Sequence, residues 1–275
     1  MIHRNSYIRI AILGVFLFVI LFSQDAFARI VWQKYKYTDL ALLLDRSDAK
    51  LAMEIGNHYF NGPACAKASA GKAGCYDLNK AEDGFRKAIS IDPKIFLGNY
   101  QLARVYFVKG KNEAALLAID KELEANPENL RSLYVRGLIL AGMGDLSGAE
   151  GDFRRFTLWA PKEWAGYNDL AWVLAKQEKY GEARDAILKA FENINSAKEN
   201  AWLQNSIGVA YLNLKDYQRA RQAFLAAQVA AEKMNEKEWI KAYPGNDPDK
   251  TKESFMRFKE AINLNLAHTS IVDNR

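Results

Sequence analysis

The chain has 275 residues, 49% of them hydrophobic, with a formal net charge of +5 and a sequence pI near 9.0. Acidic and basic residues interleave without a run of five like charges, so the modest basic excess reads as surface composition and not as a nucleic-acid footprint. Three histidines scattered along the chain and two cysteines offer no metal or nucleophile constellation, and the length suits one repeat array with no second domain.

The first 28 residues read as a targeting segment. His3, Arg4 and Arg9 form a positive start, Ile10–Phe22 is an apolar run, and Ala26-Phe27-Ala28 fits a small-x-small cleavage site. The run of 13 residues is short against the ~20 that cross a bilayer, so cleavage after Ala28 is the expectation. An uncleaved N-terminal membrane anchor is the other reading. Either way the rest of the chain is exported, to the periplasm or cell surface, or held at the membrane by its N-terminus. Residues 29–46 form a lead-in, with Val31, Trp32, Tyr35 and Leu40–Leu44 to pack on the adjoining helical segment.

Residues 47–232 carry an internal period. Pro93, Pro127 and Pro161 stand 34 residues apart, each closing a segment with small and aromatic residues at helical spacing. Ala81, Phe85 and Ala88 fall on one helical face, and the prolines mark stops because they cannot continue a helix. Upstream, Gly56, Ala103, Gly137, Ala171 and Gly208 recur in one register. A helical glycine costs about 1 kcal/mol against alanine, so the recurrence points to a close approach of two helices. Five hairpins result, each with an apolar face that only stacking buries. Hairpin one carries an inserted loop at 62–77, rich in Gly, Ala, Ser and Lys. About three extra residues separate hairpins four and five near Asn193–Asn200. Arg136 stands in hairpin three where the others have a large apolar residue, which leaves its packing open.

Cys65 and Cys75, the only cysteines, both lie in that loop. In an oxidising compartment they could pair as a local disulfide; two thiols without clustered histidine do not complete a metal site, and two unpaired thiols are the remaining alternative. Residues 233–249 read as a linker, on the strength of the Tyr-Pro-Gly-Asn-Asp-Pro stretch, and 250–268 as a capping helix with Phe255, Phe258, Ile262 and Leu266 on one face.

The periodic segment resembles the tetratricopeptide repeat. Ile55, Gly56 and Tyr59 with Ala81, Phe85, Ala88 and Pro93 match its pattern in the first hairpin, and Ile207, Gly208 and Tyr211 with Ala220, Phe224 and Ala227 match it in the fifth. The resemblance implies an all-α fold, a right-handed superhelical solenoid of about five hairpins plus a C-terminal capping helix. It also implies a concave groove lined by the first helix of each hairpin. Carried over position by position, that groove holds Lys50 and Asn57, then Tyr100 and Arg104, then Arg131 and Tyr134, then Asn168 and Trp172, then Trp202 and Asn205. The aromatics are interface-anchor types, and the two asparagines could pair with a peptide backbone. The implied function is a non-enzymatic protein–protein interaction scaffold outside the cytoplasmic membrane, holding a protein or peptide in the groove. The alternative is a structural or assembly subunit of a cell-envelope machine, such as a pilus, secretion or cell-wall complex. No cofactor and no nucleic acid are expected, and contact with a membrane only through an uncleaved N-terminal segment.

Overall fold

A computed structural model describes residues 47–62, 76–242 and 251–272. The segments expected to be a targeting signal and a lead-in, together with Cys65 and Cys75, lie outside the described residues, as does most of the inserted loop. The described residues are all-helical, with twelve α-helices and no strand. Numbered in chain order they are α1 (Ala49–Phe60), α2 (Leu78–Ile91), α3 (Gly98–Val108), α4 (Asn112–Ala125), α5 (Leu130–Met143) and α6 (Leu146–Trp159). They continue with α7 (Trp164–Lys176), α8 (Tyr180–Asn193), α9 (Ala201–Asn213), α10 (Tyr217–Lys233), α11 (Glu236–Ala242) and α12 (Thr251–Val272). The chain divides into two compact units, Met1–Leu102 and Ala103–Arg275, with the boundary inside α3.

In the first unit α1 and α2 form one hairpin. Asp48 caps α1 by accepting from the Leu51 amide at 2.9 Å, and Asp77 caps α2 through the amides of Asn79 and Lys80. A Cβ built on Gly56 would stand 2.6 Å from the Phe85 ring, and one on Gly84 would stand 2.7 Å from the Gly56 nitrogen. The two backbones therefore meet where both helices lack a side chain. Tyr59, Phe85, Leu51 and Ile55 are fully buried around that contact.

In the second unit the hairpins α5–α6, α7–α8 and α9–α10 stack on one another, with α4 packed on α5. Helix ends follow the sequence signals. Asn129, Asp145, Asn200 and Asp216 cap the next helix through side-chain oxygens, and Asn126 and Ala160 close α4 and α6 just before Pro127 and Pro161. The close approach at Gly56 recurs: a Cβ on Gly137 would lie 2.7 Å from Phe153, and one on Gly208 would lie 2.5 Å from Phe224. The extra residues before hairpin five form a single 3-10 turn, Ala197–Glu199, whose Ala197 is buried.

Arg136 finds a packing solution. Its guanidinium donates twice to Asp152 at 2.7 Å and once to Asp120 at 3.3 Å, so a fork-shaped cation and two carboxylates on α4 and α6 replace an apolar contact.

The span expected to be a linker is only partly one. Helix α10 runs to Lys233, and α11 follows after Asn235, which caps it through the amides of Lys237 and Glu238 at 3.0 Å. Asparagine here starts a helix instead of ending order, because its side chain satisfies the first free amides. Residues 243–250 lie outside the described residues. Helix α12 runs to Val272, four residues past the expected cap. It packs on α10, with Ile262 fully buried among Ala201, Ala227 and Ala231.

Candidate partner-binding face

The candidate residues sit on first helices, and the hairpin design puts them there. In α1–α2, α5–α6 and α9–α10 the first helix sets its glycine against a phenylalanine of its own second helix, and in the second unit an adjacent stripe of α5, α7 and α9 faces the next helix of that layer.

In the first unit, Lys50 is exposed at the start of α1, and Asn57 accepts a 2.7 Å hydrogen bond from Gln101. Tyr100 is buried in the core. A shallow cleft of about 620 Å³ lies between the N-terminal end of α1 and the turn after α2, lined by Lys50, Met53, Ile95 and Phe96.

In the second unit, the positions expected to be open split into two sets. Tyr134, Asn168 and Asn205 join the first helices to each other. The Tyr134 hydroxyl donates to Asp169 Oδ2 at 2.6 Å, Asn168 Nδ2 donates to Asp169 Oδ1 at 3.1 Å, and the Ser206 hydroxyl donates to Asn168 Oδ1 at 2.8 Å. Asn205 accepts from Asn265 of α12 at 3.1 Å. A hydrogen-bonded ladder thus runs α5, α7, α9, α12. Tyr134 is only 7% exposed, its ring 4.9 Å from Phe156 and 5.8 Å from Phe153. This corrects the expectation of an open aromatic anchor there. Tyrosine has a large apolar body with one polar tip, and both are consumed: the body by the core, the tip by Asp169. Asn168 is likewise buried and bonded on both ends of its amide.

The second set lies one helical turn to either side of the first: Arg131 comes three residues before Tyr134, and Trp172 four after Asn168. Arg104 is half-buried, Arg131 exposed, and Trp172 46% exposed, the widest opening of any first-helix aromatic in this unit. The Lys176 ammonium sits 5.4 Å from the Trp172 ring centre, a cation–π contact one turn along the same stripe. Between these residues the face carries the half-buried aliphatics Leu138, Val209 and Leu212.

Trp202 has another setting. It stacks on Trp164 at 4.8 Å, on Trp239 at 5.4 Å and on Phe258 at 5.5 Å, while Trp239 donates its indole N–H to Ser254. The stack ties α7, α9, α11 and α12 together. Beside it opens a cleft of about 820 Å³, lined by Trp164, Trp202, Leu225, Val229 and Met234 and edged by Lys198 and Lys233.

A cluster of ion pairs centres on the second helix α6. Glu150 accepts from Lys179 and Arg154 at 2.8 Å and from Gln177 at 2.9 Å. Partial burial alone would raise its pKa, but the three bonds outweigh that and hold the carboxyl down at about 2. Among the described residues no group of three or more His, Cys, Asp or Glu could hold a metal ion. No described helix is long and apolar enough to cross a membrane.

Sequence reasoning missed Asp169, Ser206, Lys176, Trp164 and Asn265. The signal for the first two was present, since each directly follows a singled-out asparagine, and Lys176 stands four residues after Trp172. Nothing local pointed to Asn265, which pairs with Asn205 across 60 residues.

The family model of the tetratricopeptide repeat matches residues 100–160 and 168–235. The chain is 34% identical over 121 residues to the TPR repeat-containing protein PA4667 of Pseudomonas aeruginosa, covering 43% of this chain and 20% of that protein. It spans about a fifth of the length of the curated relatives it matches. Among solved structures it is similar to MamA protein, with a TM-score of 0.54 and 18% identity over 67% of this chain and 92% of the other. YrrB, a TPR protein with an unusual peptide-binding site, matches with a TM-score of 0.54 and 19% identity over 71% of this chain and 92% of that one. At these identities the structural likeness establishes the fold.

Proposed function

From the match of residues 100–160 and 168–235 to the tetratricopeptide repeat, we propose that this chain is a non-enzymatic scaffold that holds a protein or peptide partner against the first-helix face of residues 103–275. The observation that carries this reading is Trp172. Every other first-helix tryptophan or tyrosine described in this unit is taken up by core, ladder or stack, whereas Trp172 leaves nearly half its surface to solvent beside Lys176. Large rigid aromatics of this kind are the residues that dominate partner binding when a second chain covers them. YrrB, a neighbour in fold, is a TPR protein with a peptide-binding site, which supports a peptide as one form of the partner.

The same reading puts the repeats outside the cytoplasmic membrane, on the strength of the positive start, short apolar run and Ala-Phe-Ala site at residues 26–28.

The test is photo-crosslinking in the native cell. A crosslinker in place of Trp172 captures a discrete partner, while one in place of Leu117, an exposed residue on the second helix α4, does not. Capture at Leu117 and none at Trp172 would move the interface to the second helices and end the reading.

A further inference from the structure

The outer side of the last hairpin differs from that of its neighbours in the second unit. On each second helix, the positions five and nine residues after the buried alanine of the register lie one turn apart, off the buried stripe. They hold Asp120 and Glu124 in α4, Arg154 and Leu158 in α6, and Leu188 and Glu192 in α8. Of these four helices α10 alone is apolar at both, with Leu225 41% and Val229 51% exposed. Helix α10 is also the longest of the four, 17 residues against 14. Leu225, Val229 and its last turn line the cleft of about 820 Å³ beside Trp164 and Trp202. Among the described residues, the charged groups lining that cleft are Lys198 and Glu199 from the 3-10 turn, Lys233 from the end of α10 and Glu238 from α11, all exposed. Each of the two segments thus brings one cation and one anion.

We infer that this surface binds the same surface of a second copy of this chain. A two-fold contact sets a patch against itself, so the patch must supply both knob and hollow and both signs of charge. Helix α10 meets the first condition, because Leu225 and Val229 stand exposed at a hollow that their own helix lines. The rim meets the second. Lys198 with Glu199, and Lys233 with Glu238, are each balanced, so every rim charge finds an opposite one when a segment of one copy meets a segment of the other. A partner of a single sign, an acidic or a basic chain, would set two of the four rim charges against a like charge. The surface is separate from the open face at Trp172, since Trp164 lies eight residues before it on α7, about 12 Å along the helix. The inference therefore stands or falls independently of the scaffold reading.

The test is photo-crosslinking between two differently tagged full-length copies in the native cell. A crosslinker in place of Leu225 is expected to join one tagged copy to the other. Val229→Glu, which puts a charge on the apolar patch, is expected to cut that product about tenfold or more. Two rim variants then read the charge. Lys198→Glu with Lys233→Glu makes the rim acidic. Glu199→Lys with Glu238→Gln makes it basic, and glutamine can keep the bond that Glu238 accepts from the Asn235 amide. Each rim variant is expected to lose the product with itself by about tenfold and to regain it with the other, which also shows that both fold. Absence of a product between copies at Leu225 overturns the inference, and so does a product that survives Val229→Glu. Acidic-rim and basic-rim copies that keep the helicity of the unchanged chain by circular dichroism, yet fail to join each other, overturn it too. Capture at Leu225 of a different protein in place of the second copy gives the surface another occupant and ends the assignment.

Discussion

Gly110, Gly144, Glu178 and Lys215 follow the first helix of four successive hairpins, and all four have positive φ, from 61° to 86°. The left-handed turn is thus a property of the hairpin, held whether or not glycine occupies it. For a residue with a Cβ this region costs roughly 1 kcal/mol or more, which the hairpin's packing offsets at Glu178 and Lys215. A Cβ on Gly144 meets nothing within 4 Å, so the cost of adding one is purely conformational. Gly144→Ala is expected to lower stability by about 1 kcal/mol, and Lys215→Gly to raise it by a smaller amount, since glycine also loosens the unfolded chain. Urea denaturation of the two variants checks both signs; a stabilised Gly144→Ala would contradict the account.

Between elements, the Gly/Ala register and the residue opposite it are matched in size. Glycine at 56, 137 and 208 faces phenylalanine at 85, 153 and 224, whereas alanine at 103 and 171 pairs in register with isoleucine at 119 and 187. Total volume at each crossing is conserved, as close packing requires. Gly208→Ala alone forces the Phe224 ring aside and Phe224→Ile alone leaves a void; each is expected to cost about 1–3 kcal/mol. The double variant reproduces the alanine–isoleucine crossing of hairpins two and four, so it should cost less than the sum by about 1 kcal/mol or more. Strict additivity in a double-mutant cycle would show that the pair is not the packing unit. The Glu150 cluster also acts between elements, joining α6 to Lys179 beside α8. Its folded pKa of about 2 lies below the ordinary 4.5, so its stabilisation is complete above pH 4.5 and is lost as pH falls toward 2. Arg154 and Lys179 are about half exposed, which screens the effect to the order of 1 kcal/mol. Glu150→Gln should flatten the stability profile in that acid window and nowhere above it; parallel profiles down to pH 2 would refute the linkage.

At the scale of the molecule, an unclosed array leaves an apolar face at its end. Helix α12 covers it with Phe255 and Ile262, and the pairs Trp202–Phe258 and Asn205–Asn265 rise together, so α12 runs alongside α9 as a further first helix would. Cellular location is likewise a property of the whole chain. If the N-terminal segment is an export signal, the mature protein begins at Arg29, and mass analysis of the native N-terminus reads that directly. Recovery of intact residues 1–28 in the membrane fraction would instead make the segment an anchor.

The sequence by itself determined the helical hairpins, their register and their boundaries. Prolines, caps and the Gly/Ala–Phe/Ile stripes act within one hairpin, and a period repeated five times averages out local noise. The same register identified Trp172, Asn168 and Asn205 as first-helix face residues before any geometry was known. Tertiary structure alone decided which of them stay open. Tyr134 and Trp172 are both aromatics on the same kind of helix, yet one is locked by Asp169 and Phe156 and the other stays 46% exposed with a lysine over its ring. That difference depends on what the next helix presents, Asp169 one residue past Asn168 or Asn265 from the far end of the chain. Composition and periodicity carry no record of such pairings, because exposure is a property of neighbours in space.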